Sequence, residues 1–116
     1  MTYEKLAIPN WDIEDGRNNY IYNVDKYYDF LKGTVFIFDY PCGPIYNGYI
    51  KIYGDKKLLY SKTDISRGIG FFHFVIDITG VSKIIVSIAA DGNGHGNGLQ
   101  FCVAGIRLLR IESIDQ

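Results

Sequence analysis

GFFHFVIDIT, residues 70–79, puts Phe72, Phe74, Ile76 and Ile78 on one side of an extended chain and His73, Val75 and Asp77 on the other. Successive side chains of a strand point to opposite faces, so this alternation reads as a half-buried strand. Just beyond it, KIIVSIAA (83–90) is apolar on both faces, as is most of LQFCVAGIRLLRI (99–111), which predicts two central strands. Upstream, YIKIYG (49–54) opposes Ile50 and Ile52 to Tyr49, Lys51 and Tyr53, and Gly54-Asp55 leads into KKLLYSK as a hairpin. TVFIFDY (34–40) reads as a strand halted by PCGP, because Pro41 and Pro44 cannot donate to a ladder. The one helical contender is NVDKYYDFLKG (23–33). Val24, Tyr27, Tyr28 and Leu31 fit a 3.6 period there, and Gly33 is placed to cap the end. The pattern as a whole predicts an all-β chain with little or no helix: six or seven strands in a two-sheet antiparallel sandwich forming one domain over residues 1–116.

Composition narrows the functional classes. The 116 residues suit a single core, and the 13 glycines, 10 tyrosines and 7 phenylalanines lean toward β structure with many turns. A net charge of −1 with scattered basic residues lacks the stripe that neutralises a phosphate backbone, which argues against nucleic acid. No apolar stretch approaches the ~18 residues of a membrane span. MTYEKLAIPNWDIEDG has neither the basic start nor the apolar core of an export signal. These features predict a soluble chain without membrane insertion and leave its compartment open. Cys42 and Cys102 have no CxxC or histidine at ligand spacing, so no zinc or redox motif is indicated. They read as idle thiols, with a bridge between them open only in an oxidising compartment.

Catalytic chemistry is scarce. His73 sits mid-strand, where a solvent-facing or singly hydrogen-bonded imidazole is the expectation. No serine has a GxSxG-like setting, and Asp12, Glu14 and Asp15 have no partner base, so the chain reads as a non-enzyme. The polar focus is DGNGHGNG (91–98), in which four glycines alternate with Asp91, Asn93, His95 and Asn97 between two apolar runs. As a calcium loop it fails: His95 is a poor third ligand, and Cys102 stands where the bidentate glutamate belongs. No cofactor is called for, and a structural calcium shared with the N-terminal carboxylates is the one metal left open.

The bland reading of 91–98 is a long turn whose Gly and Asn supply positive φ. Eight polar or glycine positions exceed what a hairpin needs, and Asn, His and Asp offer the donors and acceptors that a ring of hydroxyls requires. A sugar also needs a flat aromatic partner for its C–H face. Trp11, which reads as lying outside the alternating strands, either covers an open end of the sandwich or stacks on a ligand; Tyr46, after the PCGP bend, has the same two readings. Arg67 in DISRGIG is a further loop candidate for paired hydrogen bonds to vicinal hydroxyls. Asp91, next to the strand end, is expected to hold the loop's own backbone as an Asx turn. The predicted ligand set is therefore Trp11, Tyr46, Arg67, Asn93, His95 and Asn97, for a glycan or cell-surface carbohydrate. The competing reading is a structural or assembly domain, phage or toxin-associated, that binds another protein through a flat apolar patch over Tyr49, Lys51 and Tyr53.

Four segments taken in order, YNVDKYYDFLKGTVFI (22–37), YIKIYGDKKLLYSKTDISRG (49–68), FVIDITGVSKIIVSIAADGNG (74–94) and VAGIRLL (103–109), resemble the NPCBM family of carbohydrate-binding modules. GDKKLLY and DITGVSKI carry the resemblance best, and both are scaffold elements. In the glycine-rich loop His95 is retained within GHGNG while its neighbours depart from the family pattern. The resemblance implies a galactose-binding-like jelly-roll sandwich that recognises glycans in a lectin-like manner and is usually appended to extracellular enzymes.

Overall fold

The computed structural model describes residues 2–14, 16–38, 48–65, 71–90 and 100–112. They form nine strands: β1 Thr2–Ala7, β2 Trp11–Glu14, β3 Gly16–Asn23, β4 Phe30–Phe38, β5 Gly48–Gly54, β6 Lys57–Ile65, β7 Phe71–Asp77, β8 Lys83–Ala90 and β9 Gln100–Glu112. One sheet runs β1-β9-β4-β7, with β2 also on β9, and the other runs β3-β8-β5-β6. Every pairing is antiparallel. Folding the chain back on itself explains this order: β2 and β3 lie beside β9 and β8, while β4 and β5 pair with both those partners and with β7 and β6. That wrapping is a jelly roll.

The alternation holds over the described residues 71–79. Phe74, Ile76 and Ile78 are buried, whereas Phe71, His73, Val75 and Asp77 face out. Ile50 and Ile52 likewise point inward to meet Ile84, Val86 and Ile88 of β8 and Val35, Val103 and Ile106 of the opposite sheet in one core cluster. The two runs that are apolar on both faces, β8 and β9, are indeed interior strands. At the β5–β6 hairpin, Asp55 and Lys56 take φ of 48° and 72°, the two positive values that a two-residue hairpin turn requires. The Asp55 carboxylate accepts the backbone N–H of Ser82 at 3.0 Å and of Lys83 at 3.0 Å, fastening the hairpin to the start of β8.

Three expectations are corrected. The described residues form nine strands, not six or seven, because the N-terminal residues pair as well. β1 lies against residues 107–112 and β2 against residues 100–103 of β9, so together they form one interrupted strand along a single long neighbour. The interruption contains Pro9, which has no N–H to give a ladder. The segment 23–33 is not a helix: Val24 and Asp25 donate to Ser82 O, Lys26 donates to Val81 O, and Phe30 onward belongs to β4. Asp25 and Lys26 take positive φ of 50° and 62°, which a right-handed helix does not admit, and Phe30 to Lys32 pair with β7 and β9, so tertiary pairing overrides the local period. Gly33 is accordingly no helix cap. It is a buried strand residue beside a bulge, where an added Cβ would stand 2.9 Å from Phe74 Cζ.

Candidate functional site

The strand ends that flank positions 39–47, 66–70 and 91–99 lie together. Ala90 pairs with Gly48, Gly48 with Ile65, Phe38 with Gln100, and Phe36 with Phe71, which puts all of them at one end of the sandwich. Tyr46, Arg67, Asp91, Asn93, His95 and Asn97 belong to the connections leaving this end. They lie outside the described residues, as does Cys42. The topology thus brings to one end every connection that the sequence singled out.

Trp11 is a different case. As a residue of β2, opposite Val103, it turns into the core and is 0% exposed. Its ring stacks on Tyr20 (5.9 Å between centroids, 28°) and on Phe74 (6.4 Å, 14°), and its Nε1–H donates to Tyr22 Oη at 2.7 Å. With both faces covered and its one donor satisfied, Trp11 offers nothing to a ligand. The expectation of a stacking residue outside the strands is replaced by that of a core residue. Burial raises the Tyr22 hydroxyl above its ordinary pKa, opposed by the Trp11 hydrogen bond. Tyr60, packed on Phe74 at 5.4 Å, is raised by burial alone.

Next to Trp11 on β2, Asp12 faces Cys102 across the ladder. Cys102 is a free thiol, and burial, with the Asp12 carboxylate adding to it, pushes its pKa up to about 11. It is therefore a protonated, unreactive thiol at neutral pH. His73 is exposed and its Nδ1 is hydrogen-bonded to Thr34 Oγ1 at 2.7 Å, the single-partner arrangement expected for it. Among the described residues, no group of three or more His, Cys, Asp or Glu side chains converges as a metal site would. No helix among them is long and apolar enough to cross a membrane.

Of the open cavities among the described residues, two away from the loop end are of small-molecule size and were not read from the sequence. One of about 640 Å³ is framed by Leu6, Ile8, Ile21, Tyr22, Val24 and Tyr27, toward the opposite end of the sandwich. The other, about 330 Å³, lies on the outer face of the β1-β9-β4-β7 sheet between Lys32, Thr34, His73, Val75 and Gly105.

No protein-family model and no curated protein sequence matches the chain. Solved structures match its fold. The M60 catalytic domain with the CBM51-1 and CBM51-2 domains of Clostridium perfringens ZmpB aligns with a TM-score of 0.62 at 18% identity, over 81% of this chain and 10% of that one. The CBM51-2 and INT domains of the same protein align with a TM-score of 0.64 at 14% identity, over 99% of this chain and 31% of that one. CBM51-2 in complex with GlcNAc, again with INT domains, aligns with a TM-score of 0.58 at 14% identity, over 95% of this chain and 30% of that one. The chain spans less than a third of each of these three structures, and at these identities the likeness is one of fold: a β-sandwich of the kind used by carbohydrate-binding modules.

Proposed function

We propose that this chain is a non-catalytic glycan-binding module, NPCBM-like in its sequence elements, that takes its sugar at the end of the sandwich from which residues 39–47, 66–70 and 91–99 depart. The observation that carries the reading is the convergence of those connections on one end of a jelly roll whose fold matches CBM51 domains. One of these domains is described in complex with GlcNAc, which supports a hydroxyl-bearing hexose as the ligand class. Asn93 and His95 are the proposed principal contacts, with Tyr46, Arg67 and Asn97 around them and Asp91 holding the loop's own backbone. Trp11 has no part in it. The reading includes no catalysis, since the sequence offers no residue set that supplies an acid and a base in plausible register.

The competing assembly reading needs a flat apolar patch over Tyr49, Lys51 and Tyr53. These three are half-buried, and the Lys51 ammonium lies 5.0 Å over the Tyr49 ring, a charge in the middle of that face. A glycan array spanning galactosides, N-acetylated sugars and cell-wall fragments, followed by calorimetry with GlcNAc, tests the proposal. Saturable binding to at least one glycan class is expected, and an array with no hits overturns it.

A further inference from the structure

The outer face of the β1-β9-β4-β7 sheet carries a group of side chains that the fold does not use. Phe36 and Phe71 are cross-strand partners whose rings stack 6.2 Å apart at 28°, yet they remain 43% and 61% exposed. Two residues along β7, His73 sets its ring edge-on to Phe71 at 5.7 Å and is held by Thr34 at 2.7 Å. Two residues further, Val75 is 66% exposed opposite Lys32. The row from Phe71 to Val75 runs ~13 Å down the strand from the loop end.

Exposed aromatic rings are costly to leave in water, and exposed apolar patches mark binding surfaces. Two rings and one valine are far short of the ~800 Å² per partner of a stable protein interface, and the row is broken by His73, Thr34 and Lys32. The cavity beside them, about 330 Å³, falls instead in the range of small-molecule sites. Gly105 leaves it open by contributing no side chain; at φ 61°, it would meet nothing within 4 Å even with a Cβ. Apolar rings beside fixed hydrogen-bonding groups suit a pyranose, whose C–H face packs on an aromatic ring while its hydroxyls need donors and acceptors.

Charge makes the ligand class more definite. Lys32 lines the cavity and no carboxylate does. Asp77, further along the same face, is engaged by the Thr79 N–H at 2.9 Å. We propose that this face is a second saccharide site, taking a pyranose that bears an acidic group: the ring stacked on Phe71 and Phe36, hydroxyls on His73, and the anionic group on Lys32. The ligand class rests on the glycan-binding reading above, while the residues are separate from the loop-end contacts.

The test is an amide NMR titration of the whole chain with a matched pair of probes, methyl β-D-glucuronide and methyl β-D-glucoside, which differ in a carboxylate against a hydroxymethyl group. The glucuronide is expected to shift the amides of Thr34, His73, Val75 and Gly105, binding about three- to fivefold more tightly than the glucoside, the scale of a partly exposed charge pair. Lys32→Gln should abolish that preference, and Phe71→Ala should weaken both probes about tenfold. Phe71 is exposed, so its loss leaves the core intact, which the remaining amide shifts will report. Equal binding of the two probes, no shifts at these amides, or an unchanged preference in Lys32→Gln overturns the proposal. GlcNAc titrated in parallel separates the two sites: shifts confined to residues 91–98 support the loop-end reading alone, and shifts at neither set sink both.

Discussion

Trp11 is the only tryptophan of the chain, so its emission reports one known place. Its indole is 0% exposed, stacked on Phe74 and bonded to Tyr22 Oη at 2.7 Å. Trp11→Phe removes the Nε1–H donor, leaving a half-buried hydroxyl without its partner, at about 1 kcal/mol. It also trades a two-ring side chain for one ring in a packed core, worth about a further 1–2 kcal/mol in lost contacts and residual cavity. The sum is about 2–3 kcal/mol, which for a domain of this size lowers Tm by about 8–15 °C. Tyr22→Phe removes the other half of the same bond. The double variant should therefore cost less than the two singles added, by about 1 kcal/mol of coupling. The assay is urea unfolding followed by circular dichroism, which does not depend on the tryptophan itself. In the wild-type chain, iodide should barely quench the native emission and a bound sugar should leave it unmoved. Strong iodide quenching in the folded state, a saturable change of emission with sugar, or a Trp11→Phe variant as stable as the parent would refute a core role and return Trp11 to the list of ligand contacts.

Four further outcomes are expected. Asp55→Gly keeps the positive φ of the hairpin but deletes the carboxylate that accepts from Ser82 and Lys83, so thermal melts should show a loss of about 1–2 kcal/mol; Asp55→Ala should lose about 1 kcal/mol more through the left-handed backbone. Gly33→Ala drives a methyl group to within 2.9 Å of Phe74 Cζ and 3.2 Å of Val103 Cγ1 and should destabilise by about 1–3 kcal/mol in urea, while Gly105→Ala meets no neighbour and suffers only its φ of 61°. Cys102, raised by burial from 9.0 to about 11, binds its proton more tightly in the folded state, so its share of stability is complete below about pH 9 and is lost as pH rises toward 11; the stability difference between the parent and Cys102→Ala should be constant below about pH 9 and move against the parent across that window, and native Cys102 should alkylate slowly at pH 8 by peptide mass spectrometry. At the loop end, His95→Ala should weaken glycan binding by about 1–3 kcal/mol with little change in Tm, and Asp91→Ala should lower Tm first; the reverse assignment would reduce residues 91–98 to a bend.

The sheets were legible where one face is apolar and the other polar. Phe74, Ile76 and Ile78 could be set inside because burial follows the two-residue period whatever strand lies alongside. The same rule turns Phe71 outward, but its pairing with Phe36, 35 positions earlier in the register Phe36↔Phe71, depends on β7 lying beside β4. Periodicity contains no information about strand order, which is why the aromatic row on the outer face was missed. β1 and β2 were illegible for another reason. TYEKLA and WDIE lie at a sheet edge and lean on a single neighbour, so few of their positions must be apolar. Trp11 was misread with them: a tryptophan beside Pro9, Asn10 and Asp12 looks like a loop residue until β9 is known to supply the partner Val103.

The convergence of the polar connections was nonetheless implicit in the sequence. In an antiparallel fold each strand reverses the one before it, so connections alternate between the two ends and parity alone decides which of them meet. Counting from TVFIFDY, residues 39–47, 66–70 and 91–99 follow the first, third and fifth strands and must share an end. The unread N-terminal strands do not disturb the count, because all of them precede β4. The other end receives the tight turns instead: Asp55-Lys56, and Thr79-Gly80 with Gly80 at φ 80°. A short turn bonded to its own neighbours, as Asp55 is to Ser82 and Lys83, uses its polar groups internally. At the loop end, connections 39–47 and 91–99 are each nine residues long and carry more polar groups than turn geometry consumes, and the surplus is what a ligand rich in hydroxyls would engage. The meeting of the two longest connections at one end therefore follows from strand parity, before any side chain is placed.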